Sequence, residues 1–258
     1  MNNIFAVASI VIKELYRRKD FYVLFILTAL RCLVMATVNI FNDKHIIRYL
    51  KEICLLLIWV ASLVIAISTT ARQIPAEREN RTLLPLLAKP LSRTQLILGK
   101  FFGCWIACGL ALICFYGFFG ALSGSREHLW PLMNYMQAAF LHWIMLGVVV
   151  AGVLLGSLVF AAPSSNSTIS FVVVAGILLV GRHLDKVALT MQEPSRSIVY
   201  SVYYAIPHLE LFDLRDLIIH NWPLVPWKIF SLAILYALAY ATALLIATCV
   251  MFRRKAVN

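Results

Sequence analysis

Residues 75–100 read P-A-E-R-E-N-R-T-L-L-P-L-L-A-K-P-L-S-R-T-Q-L-I-L-G-K. This polar stretch separates two apolar runs, at 53–72 and 96–122, and each is long enough to carry a helix across a bilayer, which takes about 20 residues. Pro75 ends the first run, and Glu77, Arg78, Glu79, Asn80 and Arg81 are solvated. Thr82 leads into an apolar patch of Leu83, Leu84, Leu86 and Leu87. Pro90 stops that helix, Ser92 can cap the next one, and Arg93 to Lys100 close the stretch at the interface. A short amphipathic helix held between two spans is a lever that a soluble partner can move. The same residues also suit a re-entry loop resting on the lipid surface.

Around this stretch the chain is membrane material. Its 258 residues are 62% hydrophobic and 14% charged, where soluble domains carry about 25% charged residues. Apolar runs at 21–41, 53–72, 96–122, 135–161, 167–184 and 228–252 predict six spans. The fifth is short and holds Gly176 and Gly181, and it passes as a span if Arg182 and His183 snorkel. The run from Phe21 is too long for a cleaved signal peptide and no small-residue cleavage site follows it. Ahead of it, Ile4, Val7, Ala8, Val11, Ile12 and Leu15 recur at helical spacing opposite Ser9, Lys13, Glu14 and Arg17. That is the pattern of a helix lying in the membrane interface or of an N-terminal extension of the first span. Residues 185–227 hold two apolar patches broken by Pro194, Pro207, Pro223 and Pro226. They predict short helices that dip into the outer interface, with non-helical backbone covered by protein, or a compact external cap. Gly99-x-x-x-Gly103 and Gly152-x-x-x-Gly156 allow close helix packing.

Basic residues orient the spans. With the N-terminus in the cytoplasm, the inside segments hold thirteen Lys and Arg against four acids, and the outside segments nine against eight. Six spans also put both termini inside, with Trp130, Trp222 and Trp227 at the outer boundary. The net charge of +11 is therefore a topology and anionic-lipid signal, not a nucleic-acid footprint. Between Pro163 and Thr168 the residues favour an inside turn. The glycosylation-type triplets at Asn80 and Asn166 fall inside and are discounted.

Chemistry-bearing motifs are sparse. Gly99-Lys100 lacks the first glycine and the following Ser or Thr of a phosphate-binding loop, so any ATP that drives the protein is hydrolysed by another subunit. The six histidines form no metal-ligand spacing, no metal site is predicted, and the six cysteines lie in or beside apolar runs, where thiols behave as small hydrophobes. Intramembrane acids are nearly absent, against a carboxylate proton relay. Arg31 is the clearest intramembrane charge; it either lines a translocation path or pairs with a helix carbonyl.

The acidic residue at Glu79, the T-L-x-x-L-L run from Thr82, the Pro90-x-Ser92-Arg93 turn and the Gly99-Lys100 close resemble the coupling segment of bacterial ABC-type export permeases, the family often called type V. The likeness is sharpest at 77–100 and extends as a layout over nearly the whole chain. It implies an all-α integral membrane fold of six transmembrane helices. An N-terminal interfacial helix occupies 1–20, a transmembrane domain 21–252 with a coupling segment at 74–100 and re-entrant outer helices in 185–227, and a basic tail 253–258. It implies a multi-pass protein of the bacterial inner membrane that is not itself an enzyme and holds no cofactor, since two copies of an ABC ATPase bind the ATP and magnesium. A second permease subunit, a copy or a paralogue, completes the pore. Glu77, Glu79, Arg81, Thr82, Leu83, Leu84, Leu87, Pro90, Ser92, Arg93 and Lys100 would form the coupling site, and Arg31 would face the path. A haem-export-like or cofactor-assembly permease of the same layout, a lipid-modifying membrane enzyme and a structural scaffold are the competing readings.

Overall fold

The structure is a computed structural model, and it describes residues 2–17, 26, 30, 44–80, 92–127 and 130–254. Most of the first expected span (21–41), Arg31, residues 81–91 and the tail beyond Arg254 lie outside the described residues. Among the described residues every regular element is helical. In chain order these are α1 (Asn2–Arg17), α2 (Lys44–Ala71), α3 (Pro75–Glu79), α4 (Arg93–Glu127), α5 (Leu132–Val159), α6 (Pro163–Thr190), α7 (Ser195–Ala205), a 3-10 turn (Leu209–Phe212), α8 (Arg215–Ile219) and α9 (Trp227–Arg254).

Five helical stretches are long and apolar enough to cross a membrane: Lys51–Glu79, Arg93–Ser125, Leu132–Val159, Pro163–Gly181 and Trp227–Arg254. Each corresponds to an apolar run in the sequence. The fifth run is longer than its apolar core, because α6 spans 28 residues, about 42 Å at 1.5 Å per residue. The turn expected at 163–168 is instead the first turn of α6. Pro163 opens it, where a missing N–H costs nothing and the fixed φ suits a helix.

α2, α4 and α5 form the core. α4 and α5 are joined by a reciprocal pair of tryptophans. The indole N–H of Trp105 donates to the carbonyl of Trp143, and that of Trp143 to the carbonyl of Trp105, both at 2.9 Å. The rings stack at 4.5 Å. Each indole lies over a glycine on the other helix: a Cβ at Gly147 would stand 2.9 Å from Trp105 Nε1, and one at Gly109 would stand 2.7 Å from Trp143 Nε1. Both glycines sit four residues after the tryptophan of their own helix, so one Trp-x-x-x-Gly pattern is used twice, face to face. A buried indole N–H requires an acceptor, and only a residue without a side chain lets the ring come close enough to reach the backbone.

α1 packs along the start of α4. A Cβ at Gly99 would lie 2.6 Å from Val7 Cβ and one at Gly103 would lie 2.7 Å from Val11 Cβ. The first small-residue pair of the sequence is therefore the seat of α1, with Val7, Ala8 and Val11 buried against it. The second pair divides. Gly156 meets the side chain of Asn166, whereas Gly152 has only Leu244, at 4.0 Å, and borders a chamber described below.

At the opposite end, α5 is tied to the segment ahead of α9. Asn134 Nδ2 donates to the Trp222 carbonyl at 2.9 Å, and Gln137 exchanges two hydrogen bonds with the backbone of Val225. Trp130, Trp222 and Trp227 are all exposed at this end, as an aromatic belt requires. The 185–227 segment also reaches farther along α9. The His208 N–H donates to the Tyr236 hydroxyl at 2.9 Å, nine residues along α9 from Trp227, or about 14 Å of helix.

Candidate functional site

The polar stretch after α2 is held by a clamp at each end. On the α2 side, Thr70 to Ile74 turn the chain and Pro75 starts α3. Proline has no N–H to return to the carbonyl four residues back, here that of Ala71. Asn166, fully buried at the start of α6, fills the gap: its Nδ2 lies 3.3 Å from the Ala71 carbonyl, 3.3 Å from the Val153 carbonyl and 2.9 Å from Ser157 Oγ. Gly156 leaves room for the Asn166 amide, whose Oδ1 would collide with a Cβ there.

α3 then places Glu77 against α4. Lys100 Nζ is 2.7 Å from Glu77 Oε1 and 2.6 Å from the Gln73 carbonyl. The lysine side chain is 2% exposed and the glutamate 24%. Lys100 therefore does not reach the interface, as its place in the sequence suggests; it is a buried cation between the end of α2 and the first turns of α4. A charge so deeply buried requires a partner, and α3 supplies it.

The second clamp begins at Ser92. Its Oγ accepts the Gln95 N–H at 3.2 Å while Gln95 Oε1 accepts the Ser92 N–H at 3.1 Å. This reciprocal capping box fixes where α4 starts. Arg93 then reaches the C-terminal end of α9, donating to the carbonyls of Phe252 at 3.0 Å and Arg253 at 3.2 Å. Its guanidinium also lies 5.7 Å from the Phe252 ring centroid. Arg253 returns a bond to Thr94 Oγ1 at 3.0 Å. Carbonyls at a helix end have no internal partner and carry partial negative charge, so an arginine there satisfies both.

Of the residues singled out in the sequence, the structure brings Glu77 and Lys100 together, makes Ser92 the cap of α4, puts Arg93 on the end of α9, and leaves Glu79 exposed at the end of α3. Arg31, Arg81, Thr82, Leu83, Leu84, Leu87 and Pro90 lie outside the described residues. Sequence reasoning missed Gln73, Asn166 and the α9 terminus. It also missed a polar group between the spans. His142, 1% exposed, shares hydrogen bonds with Ser62 Oγ (2.8 Å) and the Tyr116 hydroxyl (3.3 Å) and stacks on Trp59. Arg215 covers that ring at 5.1 Å and is bonded through Nε and Nη2 to Asp213, 2.8 Å each. The bond to Asp213 raises the arginine pKa, against the effect of burial. The 185–227 segment is thus attached through one cation to α2, and through Trp59 and His142 to α5 and α4.

Comparison with protein families finds a match over residues 7–257 to a model described as ABC-2 family transporter protein. No curated protein matches the chain.

Proposed function

The chain belongs to the ABC-2 transporter family, and from that premise we propose that it is the export permease of an ATP-driven transporter, moved through its 74–100 segment by a partner ATPase. Membership makes it a membrane permease subunit of an ABC transporter, a multi-pass protein whose general partner is an ABC ATPase. The proposal adds the route of coupling and the direction. The coupling helix, around Glu79 to Ala88, docks on the ATPase, two ATPases serve two permease subunits, and both termini lie on the cytoplasmic side of a bacterial inner membrane. α1 lies in the cytoplasmic interface, its apolar face on Gly99 and Gly103 and its Lys13 and Glu14 exposed.

One observation carries this reading. The stretch is anchored at both ends to spanning helices, to α4 through Glu77 and Lys100 at 2.7 Å and to α9 through Arg93. A re-entry loop resting on lipid has no use for two such clamps. A lever does, because force applied between them reaches α2, α4 and α9 together.

The test is purification of the tagged chain in mild detergent, with partners identified by mass spectrometry, for the natural sequence and for Glu79→Lys. We expect an ABC ATPase in stoichiometric amount with the natural chain and its loss with Glu79→Lys at an unchanged membrane level. An ATPase retained by Glu79→Lys, with full ATP-dependent transport, removes the coupling role. An impermeant amine reagent should label Lys228 and spare Lys89, and reversed labelling overturns the orientation.

A further inference from the structure

Between α5, α6 and the dipping end of the outer segment lies a chamber of about 420 Å³, within the range of small-molecule sites. Its lining is almost wholly apolar and includes Val148, Gly152, Ile177, Leu209 and Tyr240. Gly152 enlarges it, having no side chain to fill the space. Val159, Ile169 and Val173 line the chamber and are also exposed on the flank of the bundle, so it opens sideways, where a membrane protein meets lipid tails.

Just beyond the lining, past Ile177 and Leu209, the surroundings are different in kind. Ile177 lines the chamber, and Gly181, one turn farther along α6, faces Glu210: a Cβ there would stand 3.5 Å from Oε2. Glu210 Oε1 is 3.1 Å from His208 Nδ1. Oε2 is buried and has no hydrogen-bond partner among the described residues. A buried carboxylate oxygen without a donor is costly. Aromatic rings flank the histidine that holds this carboxyl: Tyr203 lies 4.4 Å from the His208 ring, and Tyr236 lies 6.4 Å from it. A carboxylate beside aromatic faces is a setting that favours an organic cation.

We propose that this chamber and Glu210 form one site for a bilayer lipid that has an alkyl chain and an N–H-bearing ammonium head. The chain fills the space between α5 and α6, and the ammonium donates to Glu210 Oε2. The apolar walls select a chain of any kind, and the carboxylate selects the head. The site uses no residue of the coupling segment and stands apart from the function proposed above.

Phosphatidylethanolamine and phosphatidylcholine of identical chains separate these contributions, because the second head is cationic but has no N–H. The purified chain is titrated with each and bound lipid is counted by native mass spectrometry. One phosphatidylethanolamine per chain is expected, with a preference of about tenfold over phosphatidylcholine, the factor that about 1.4 kcal/mol supplies. Glu210→Gln should abolish the preference while both lipids still bind. Gly152→Phe and, from the other wall, Ile177→Trp should each expel both lipids, and circular dichroism identifies whichever variant keeps its helices. Equal retention of the two heads by the natural chain overturns the role of Glu210, and retention unchanged in a folded chamber-filling variant overturns the site.

Discussion

Replacing Asn166 with leucine should expose a debt that Pro75 creates. Leucine has the branching and heavy-atom count of asparagine but no donor. Asparagine has two amide protons for three neighbouring acceptors here, and these acceptors are not equivalent. Ser157 Oγ already donates to the Val153 carbonyl at 3.0 Å, so both groups keep a partner without Asn166. The Ala71 carbonyl does not, because the residue four positions on is proline. One buried acceptor is then stranded at a cost of about 1–3 kcal/mol, and the lost amide bonds bring the expected destabilisation to about 2–3 kcal/mol. Pro75→Ala restores an N–H at the position that points to the Ala71 carbonyl. It should therefore stabilise the Asn166→Leu chain by about 1–2 kcal/mol more than it stabilises the natural one. The four chains are compared by reversible unfolding in mixed detergent micelles, followed by circular dichroism. The difference between backgrounds is the decisive quantity, since proline removal also changes helix propensity in both. An equal effect of Pro75→Ala in the two backgrounds, or an Asn166→Leu chain within about 0.5 kcal/mol of the natural one, refutes the link.

Three further outcomes are expected. Glu77→Gln should destabilise more than Lys100→Met, because it leaves a lysine 2% exposed with no counter-charge from Glu77, whereas the reverse removes one partner from a glutamate 24% exposed; removing one partner of a buried pair costs about 3–5 kcal/mol, and a detergent unfolding series that ranks the two variants in the opposite order refutes this. Gly103→Ala should cost about 1–3 kcal/mol by overpacking, and that cost should shrink in a Val11→Gly background but not in a Val11→Ala one, since the clash at 2.7 Å is with Val11 Cβ itself, as the same unfolding series would show. Ser92→Ala should lose about 1 kcal/mol and speed hydrogen exchange at the Gln95 amide, while Ser92→Thr keeps both bonds and the slow exchange.

The helices were legible where apolar runs are long. Composition sets them, and nothing in the surroundings competes with a span of 20 apolar residues. The cap at Ser92 was legible too, because a capping box is local: Ser92 and Gln95 are three residues apart. The clamps were not, since each joins residues far apart in the chain. Lys100 looked like an interface residue because a lysine near the start of an apolar run can snorkel to the boundary; its partner, Glu77, stands across the polar stretch. Asn166 sits among Ser164, Ser165 and Ser167, a cluster that reads as a turn, yet the helix begins at Pro163 and the asparagine points into the bundle. The available signals were subtle ones: a proline at the end of α2 that orphans a carbonyl, and a repeated Trp-x-x-x-Gly at 105–109 and 143–147.

These signals matter more in this chain than burial does. The spanning windows of α2, α4 and α5 are 67%, 61% and 72% buried, whereas those of α6 and α9 are 17% and 22% buried. In water such exposed apolar helices would be driven inward. In lipid they are not, because tails and leucines are equally apolar, and helix association rests on close packing and hydrogen bonds. The position of α6 is accordingly set at its ends. Asn166 holds one end to α2 and α5, and Glu210 rests against Gly181 at the other. α9 is likewise held by Arg93 at its C-terminal end, by Tyr236 on His208 and by Tyr240 on the Tyr204 carbonyl. α6 is nearly bare along its length and can tilt without breaking a core, whereas α9 also lays Phe230, Ala237, Ala241, Leu245 and Thr248 against the bundle. The two that are so fastened flank the chamber, and one of them ends on the clamp that holds the coupling segment. The least packed helix, α6, therefore borders the lipid-facing cavity, while α9, packed on the bundle along one stripe, ties that side of the molecule to the clamp on the partner-facing stretch.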